Sequence, residues 1–223
     1  MLRSSAVLTT GFMVLLVFVG GCGPDIKTVV TFDRARIPTL GKVGIVSVYE
    51  PHGPTPGVIN LLAGQTPIEL FRAASPAEDL RTKFAQRVSG LTGPMVEIGG
   101  DEPEVVRVRG TMGLAKYDYY QVEKLDYKAI GNKYGVQTLI VLRTWDFAAR
   151  DGGPATLSLH ADARMVNVRT SKILWHKKIG GFGCYFQVGR IDSAERIRKE
   201  FAPIVDCVVE HLSKDFQGSS GTP

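Results

Sequence analysis

The chain has 223 residues, 27 Lys and Arg against 22 Asp and Glu, a formal net charge of +5, and 44% hydrophobic residues. That is enough apolar sequence for one domain with a real core. The cations are scattered rather than interleaved with aromatics, so nucleic-acid binding has no support, while contact with anionic surfaces is favoured by the basic balance.

Residues 1–21 open on a single positive charge, Arg3, followed by the uncharged apolar run Gly11 to Val19 and the closing sequence Val19-Gly20-Gly21-Cys22. The run is too short to span a bilayer, which takes about 20 apolar residues, and has the length of a secretory core segment. The small residues before Cys22 leave the backbone accessible to a peptidase. The whole resembles a bacterial lipoprotein signal peptide with its lipobox, Gly20 standing where Ala or Ser is more usual. That resemblance implies cleavage before Cys22, a diacylglycerol thioether on its sulfur and a fatty acyl group such as palmitate on its new amino group. The alternatives are an uncleaved anchor, or an ordinary signal peptide in which Cys22 is incidental. Gly23, rather than Asp, follows the cysteine, which by the same resemblance points to the periplasmic face of the outer membrane.

Residues 22–40 contain Pro24 and Pro38 and few periodic apolar positions, and are expected to form the lipidated amino terminus and a tether. The globular domain is expected over residues 41–217. Lys42 to Tyr49 is a β-branched run that predicts a buried first strand. Pro51, Pro54, Pro56 and Gly57 then break the chain, and residues 50–74 read as a long Pro/Gly-rich loop with apolar islands. Ser75-Pro76-Ala77-Glu78 has the pattern of a capping box opening a helix, with Leu80, Phe84 and Val88 on one face. Met95 to Ile98 predicts a short strand, and Val105 to Arg109 a half-exposed strand or extension.

Asp126 to Tyr134 predicts a second short helix stopped by Gly135, and Val136 to Leu142 a central strand running on towards Ala149. From Leu157 to Met165 apolar and polar residues alternate, which predicts one arm of a hairpin that turns around Arg169-Thr-Ser171 and returns over Ile173 to Ile179. Asp192 with Glu195 suggests another capping box, opening a helix whose stripe is Ile197, Phe201, Ile204, Val208 and Leu212 and which Pro203 should bend. Residues 218–223 are expected to be a disordered tail. The order β-α-β-α-β-β-β-α gives a mixed α/β (α+β) fold, a single mixed sheet flanked by helices, with an antiparallel hairpin and a last helix at the carboxyl end.

The stretches Tyr134 to Leu142 and Ala161 to Trp175 carry a further likeness: a small-residue helix ending in Gly, an apolar strand, then a hairpin. They resemble a pattern found in bacterial envelope lipoproteins of the group containing the curli-secretion lipoprotein, the penicillin-binding-protein activator lipoproteins and the amino-terminal domain of TolB. Asn167 stands for the usual acidic residue and Ser171 for the usual Gly, which suggests a different turn type. The resemblance covers the element order from Lys42 to Phe216, and recognisable residues only from Lys128 to Trp175. It implies a noncatalytic, lipid-anchored envelope protein that binds or scaffolds other envelope proteins, and it brings no catalytic residues.

Candidate chemistry is sparse. Cys184 and Cys207 form an even pair, readable as a disulfide or as two buried free thiols. Of the four histidines, His52 and His211 are isolated in sequence. His160 shares a strand face with Asp162 and Arg164, and His176 lies on the return strand. That face is expected to be solvated, with no metal site. Trp175 falls on the inward parity of its strand, whereas Tyr117, Tyr119 and Tyr120 sit in a polar segment and are candidates for a partner surface. No serine-hydrolase elbow, phosphate-cradling loop or metalloprotease helix motif is present. The expected cofactor set is empty apart from the covalent lipid on Cys22. The expected partners are the membrane, through that lipid, and envelope proteins, with a homo-oligomer as a further candidate. Two alternatives stand beside this reading: an envelope hydrolase acting on cell wall or lipid, and a subunit of an oligomeric secretion assembly.

Overall fold

The computed structural model describes residues 26–50, 73–99, 125–149, 155–180, 183–188 and 193–217. Seven strands among these residues form one mixed sheet: β1 Ile26–Val30, β2 Val43–Glu50, β3 Val96–Ile98, β4 Thr138–Ala149, β5 Ala155–Asn167, β6 Ile173–Ile179 and β7 Tyr185–Val188. Three α-helices accompany them: α1 Ala77–Thr92, α2 Tyr127–Tyr134 and α3 Ala194–Ser213. The strand order is β1-β6-β5-β4-β2-β3, with β7 also pairing with β5. Strand β2 runs parallel to β3 and β4, and the remaining pairings are antiparallel.

The two crossovers move in opposite directions, from β2 out to β3 and from β3 back past β2 to β4. The right-handed preference of such connections then places their helices on opposite faces. That is the observed arrangement. On one face Leu80, Phe84 and Val88 of α1 and Ile197, Phe201, Ile204, Val208 and Leu212 of α3 pack on Ile45, Ile140, Leu142, Ala163, Met165 and Trp175. On the other, Ile130 of α2 packs with Val46, Val48, Leu139, Val141 and Val168. Strands β2 and β4 are therefore buried on both sides where helices flank them, which is why they read as unbroken apolar runs.

Asp126 caps α2 by accepting the backbone N–H groups of Lys128 and Ala129, and Gly135 closes it in the left-handed conformation at φ 61°. Gly131 lets this helix approach the turn that follows β5: an added Cβ there would lie 2.2 Å from Val168 Cγ1. Trp175, Phe84, Phe216 and Phe32 form an aromatic cluster at the base of the larger core, with ring centroids 4.6–6.3 Å apart.

Several local expectations are corrected. The tether expected over residues 22–40 is folded from Ile26 onward. Strand β1 pairs with β6, Arg34–Thr39 forms a 3-10 turn capped by Asp33, and Phe32 and Leu40 are 6% and 2% exposed in the core. A five-residue edge strand with three exposed positions shows too little apolar periodicity to be seen in sequence. The domain thus begins fifteen residues earlier than expected and has two additional strands, β1 and β7. Ser75 does not cap α1: Pro76 stands at its N-cap without a side-chain bond, and the chain is already helical at Ala73 and Ala74. Ser193, not Asp192, caps α3, accepting the Arg196 N–H. Pro203 lies inside that helix, which runs from Ala194 to Ser213. Ser171 itself adopts φ 55°, the left-handed position usually given to Gly, and Asn167 Oδ1 closes the turn by accepting from the Thr170 N–H and hydroxyl. The 50–74 loop beyond Glu50 and before Ala73, the Val105–Arg109 extension and the 218–223 tail lie outside the described residues.

Candidate functional site

The half of the sheet face not covered by α2 carries the most concentrated polar chemistry. Side chains two apart on a strand share a face, so Ser158, His160, Asp162 and Arg164 of β5 lie together. Register then adds their cross-strand neighbours: Arg143 opposite Asp162 and Trp145 opposite His160 on β4, His176 opposite Arg164 and Lys178 opposite Asp162 on β6. The expected solvated face is not what forms. Asp162 is 7% exposed and His176 also 7%.

Asp162 is the hub. Its Oδ1 accepts from Arg164 Nε at 2.7 Å and its Oδ2 from Arg164 Nη2 at 3.0 Å, a bidentate pair. His176 Nε2 lies 3.1 Å from the same Oδ1, and Lys178 Nζ 3.6 Å from Oδ2. Burial by itself would raise the carboxyl pKa. The hydrogen bonds from His176 and Arg164, and the charges behind them, outweigh it and hold Asp162 well below the usual carboxylate range. His160, on the same face, is stacked on Trp145 with ring centroids 5.2 Å apart and planes within 14°.

Chemically, a carboxylate against one ring nitrogen of a histidine is the orienting half of an acid–base device. Here the guanidinium also occupies both carboxylate oxygens and the imidazole is enclosed, an arrangement suited to locking the β5–β6 pair. The His176–Asp162 contact was legible in principle. A turn at 169–171 puts His176 opposite Arg164, which makes Asp162 its diagonal neighbour, within reach on the same face.

The opposite face holds a second buried ion pair. Lys177, 5% exposed, places Nζ 2.6 Å from Asp215 Oδ1, and Trp175 Nε1 donates to Asp215 Oδ2 at 2.8 Å. These bonds fasten the segment after α3 to β6, and Trp175 is a core residue, fully buried.

Cys184, at the entrance to β7, and Cys207, on α3, are joined by a disulfide with Cα atoms 5.8 Å apart. His211, one turn further along α3, has a ring nitrogen within 4.8 Å of the sulfurs. Burial, then the charge of Lys214, lowers the His211 pKa against the opposing pull of Glu210, which favours the neutral imidazole. Three such groups have a metal-ligand composition, but sulfurs bonded to each other offer no thiolate. Cys22, His52 and the Tyr117, Tyr119 and Tyr120 candidates lie outside the described residues. No described helix is long and apolar enough to cross a membrane.

No family model and no curated protein matches the chain. Solved structures that do match include a PelC dodecamer from Paraburkholderia phytofirmans, at 8% identity and TM-score 0.38 over 81% of this chain and 96% of that one. Lipoprotein GNA1162 from Neisseria meningitidis matches at 15% identity and TM-score 0.33, over 78% and 97%. TolB from Acinetobacter baumannii, a protein of the group that the 134–175 pattern resembles, matches at 9% identity and TM-score 0.24, over 85% and 31%. At such identities and TM-scores no role passes from one protein to another.

Proposed function

We propose that the protein is a lipid-anchored component of the bacterial cell envelope, held through an acylated Cys22 on the periplasmic face of the outer membrane, and that its domain binds or scaffolds other envelope proteins without catalysing a reaction. The observation that carries the anchor is the sequence of residues 1–22: one basic residue, a short apolar run, and small residues immediately before a cysteine. Two acyl chains on a glycerol plus one on the amino group bury enough methylene groups for stable attachment. The disulfide between Cys184 and Cys207 is in keeping with an exported, oxidising compartment. On the polar face the carboxylate and its cations are engaged with one another, an arrangement that locks strands together.

Cells producing the chain or its Cys22→Ala variant test this reading. After mild cross-linking and membrane fractionation, the parent chain is expected in the outer-membrane fraction in discrete adducts with other envelope proteins, and the variant off the membrane with those adducts diminished. Membrane association and adducts unchanged by C22A contradict the anchor. A membrane-bound parent that forms no adduct contradicts the scaffold.

A further inference from the structure

The folded domain starts very close to the residue that carries the anchor. Ile26 pairs with Ile179, the last residue of β6, so the amino end of β1 lies where β6 leaves the sheet. It also lies beside Gly183: a Cβ added there would be 3.5 Å from Ile26 Cγ1. Two residues after Gly183, β7 presents Tyr185 at 50% and Phe186 at 44% exposure. Adjacent strand residues point to opposite faces, so two exposed aromatics in succession mark a rim rather than a covered face. Lys27 on β1 is exposed at the same end.

We infer that this end of the sheet, formed by Ile26, Lys27, Tyr185 and Phe186, rests on the lipid headgroups of the bilayer in which the anchor is inserted. The inference deepens the lipid-anchor reading and rests on it. Four Cα steps separate Cys22 from Ile26, a reach of at most about 14 Å. A thioether-linked glycerol sits at the boundary of the hydrocarbon, and the headgroup layer above it is roughly 5–7 Å thick. With so little chain to spare, the end of the domain nearest Ile26 is held at or just above the headgroups. The residues exposed there suit that position. A tyrosine and a phenylalanine are stabilised at the interface, where one part of the ring environment is apolar and the other wet, and a lysine beside them is attracted by anionic lipid. An eighteen-residue tether would have left the orientation of the domain free, whereas a three-residue one fixes which end faces the membrane.

Tryptophan introduced at Phe186 reads this directly, with Ile173 as the internal comparison. Ile173 is 39% exposed, but it lies at the other end of β6, six residues and about 20 Å from Ile179. Full-length lipidated protein carrying F186W or I173W is reconstituted in vesicles of phosphatidylethanolamine and phosphatidylglycerol containing acyl-chain-brominated lipid. The emission of the parent, with its two native tryptophans, is subtracted. The expected result is a blue shift and loss of most of the added emission for F186W, and an unchanged signal for I173W. Acylation at Cys22 is verified by mass on the same preparation. Acylated protein in which F186W is unquenched, or is quenched no more than I173W, overturns the docking of this end while leaving the anchor intact. Occupation of the β1 or β7 edge by a second copy of the chain would give that same unquenched signal together with a dimeric mass in detergent. An unacylated Cys22 overturns both.

Discussion

A carboxylate in the middle of a sheet has to be matched by cations, and Asp162 has Arg164, His176 and Lys178 within 3.6 Å. Because its folded pKa lies below the unfolded value, near 4, the group contributes stability above about pH 4. That contribution is lost as pH falls through the unfolded value towards the folded one. Asp162→Asn keeps the shape, removes the charge and leaves Arg164 and His176 without their counter-ion. It is expected to lower stability to urea by about 2–3 kcal/mol at pH 7. The gap between parent and variant should close as the pH is taken below about 4. An equal gap at pH 7 and pH 3 would mean that the cost is steric rather than electrostatic. At this scale alternation alone misled the sequence argument: Asp162 has the parity of a solvent-facing residue, but its cross-strand cations allow it to be buried.

Among the elements, the Cys184–Cys207 bond does what hydrogen bonding alone does weakly. Strand β7 is four residues long, and its link to α3 spans a separation of 23 residues. Closing a loop of that size stabilises the fold by about 3 kcal/mol in the chain-entropy account. The double variant C184A/C207A should lose roughly that much in urea denaturation, about 3 kcal/mol, with β7 amides exchanging earliest in hydrogen-exchange measurements. A variant as stable as the parent would show the bond to be incidental.

Every α-helix and strand except β1 and β7 was legible in sequence: α1, α3 and the β5–β6 hairpin by periodicity, β2, β3 and β4 as apolar runs, and α2 by the Gly135 that stops it. Their apolar positions, such as Phe84, Phe201, Leu142 and Met165, are buried where the pattern placed them. Strands β1 and β7 were not legible. Each is five residues or fewer, lies at a sheet margin and exposes most of its side chains, so the information that forms it sits in its partners. The starts of α1 and α3 were misplaced for a related reason, whereas Asp126 does open α2. Several residues near each start could cap, and the approach of the chain decides between them, as Ser193 shows against Asp192.

For the whole molecule, the early start of the fold changes what an anchor would do. With Phe32 and Leu40 seated in the core and β1 hydrogen-bonded to β6, a lipid on Cys22 would orient the domain as well as retain it. The candidate site was only partly legible at this scale. Cys22 announces itself by its neighbours in sequence, whereas the Asp162 hub and the Tyr185–Phe186 rim appear only once register and edges are known. All of the placement depends on the chemistry of that one cysteine. The most direct measurement is the intact mass of the protein extracted from its own envelope, with fragmentation of its first peptide. The mass should lack residues 1–21 and carry a diacylglyceryl group and an acyl chain on Cys22. An unmodified Cys22, or an uncleaved amino terminus, would contradict the account.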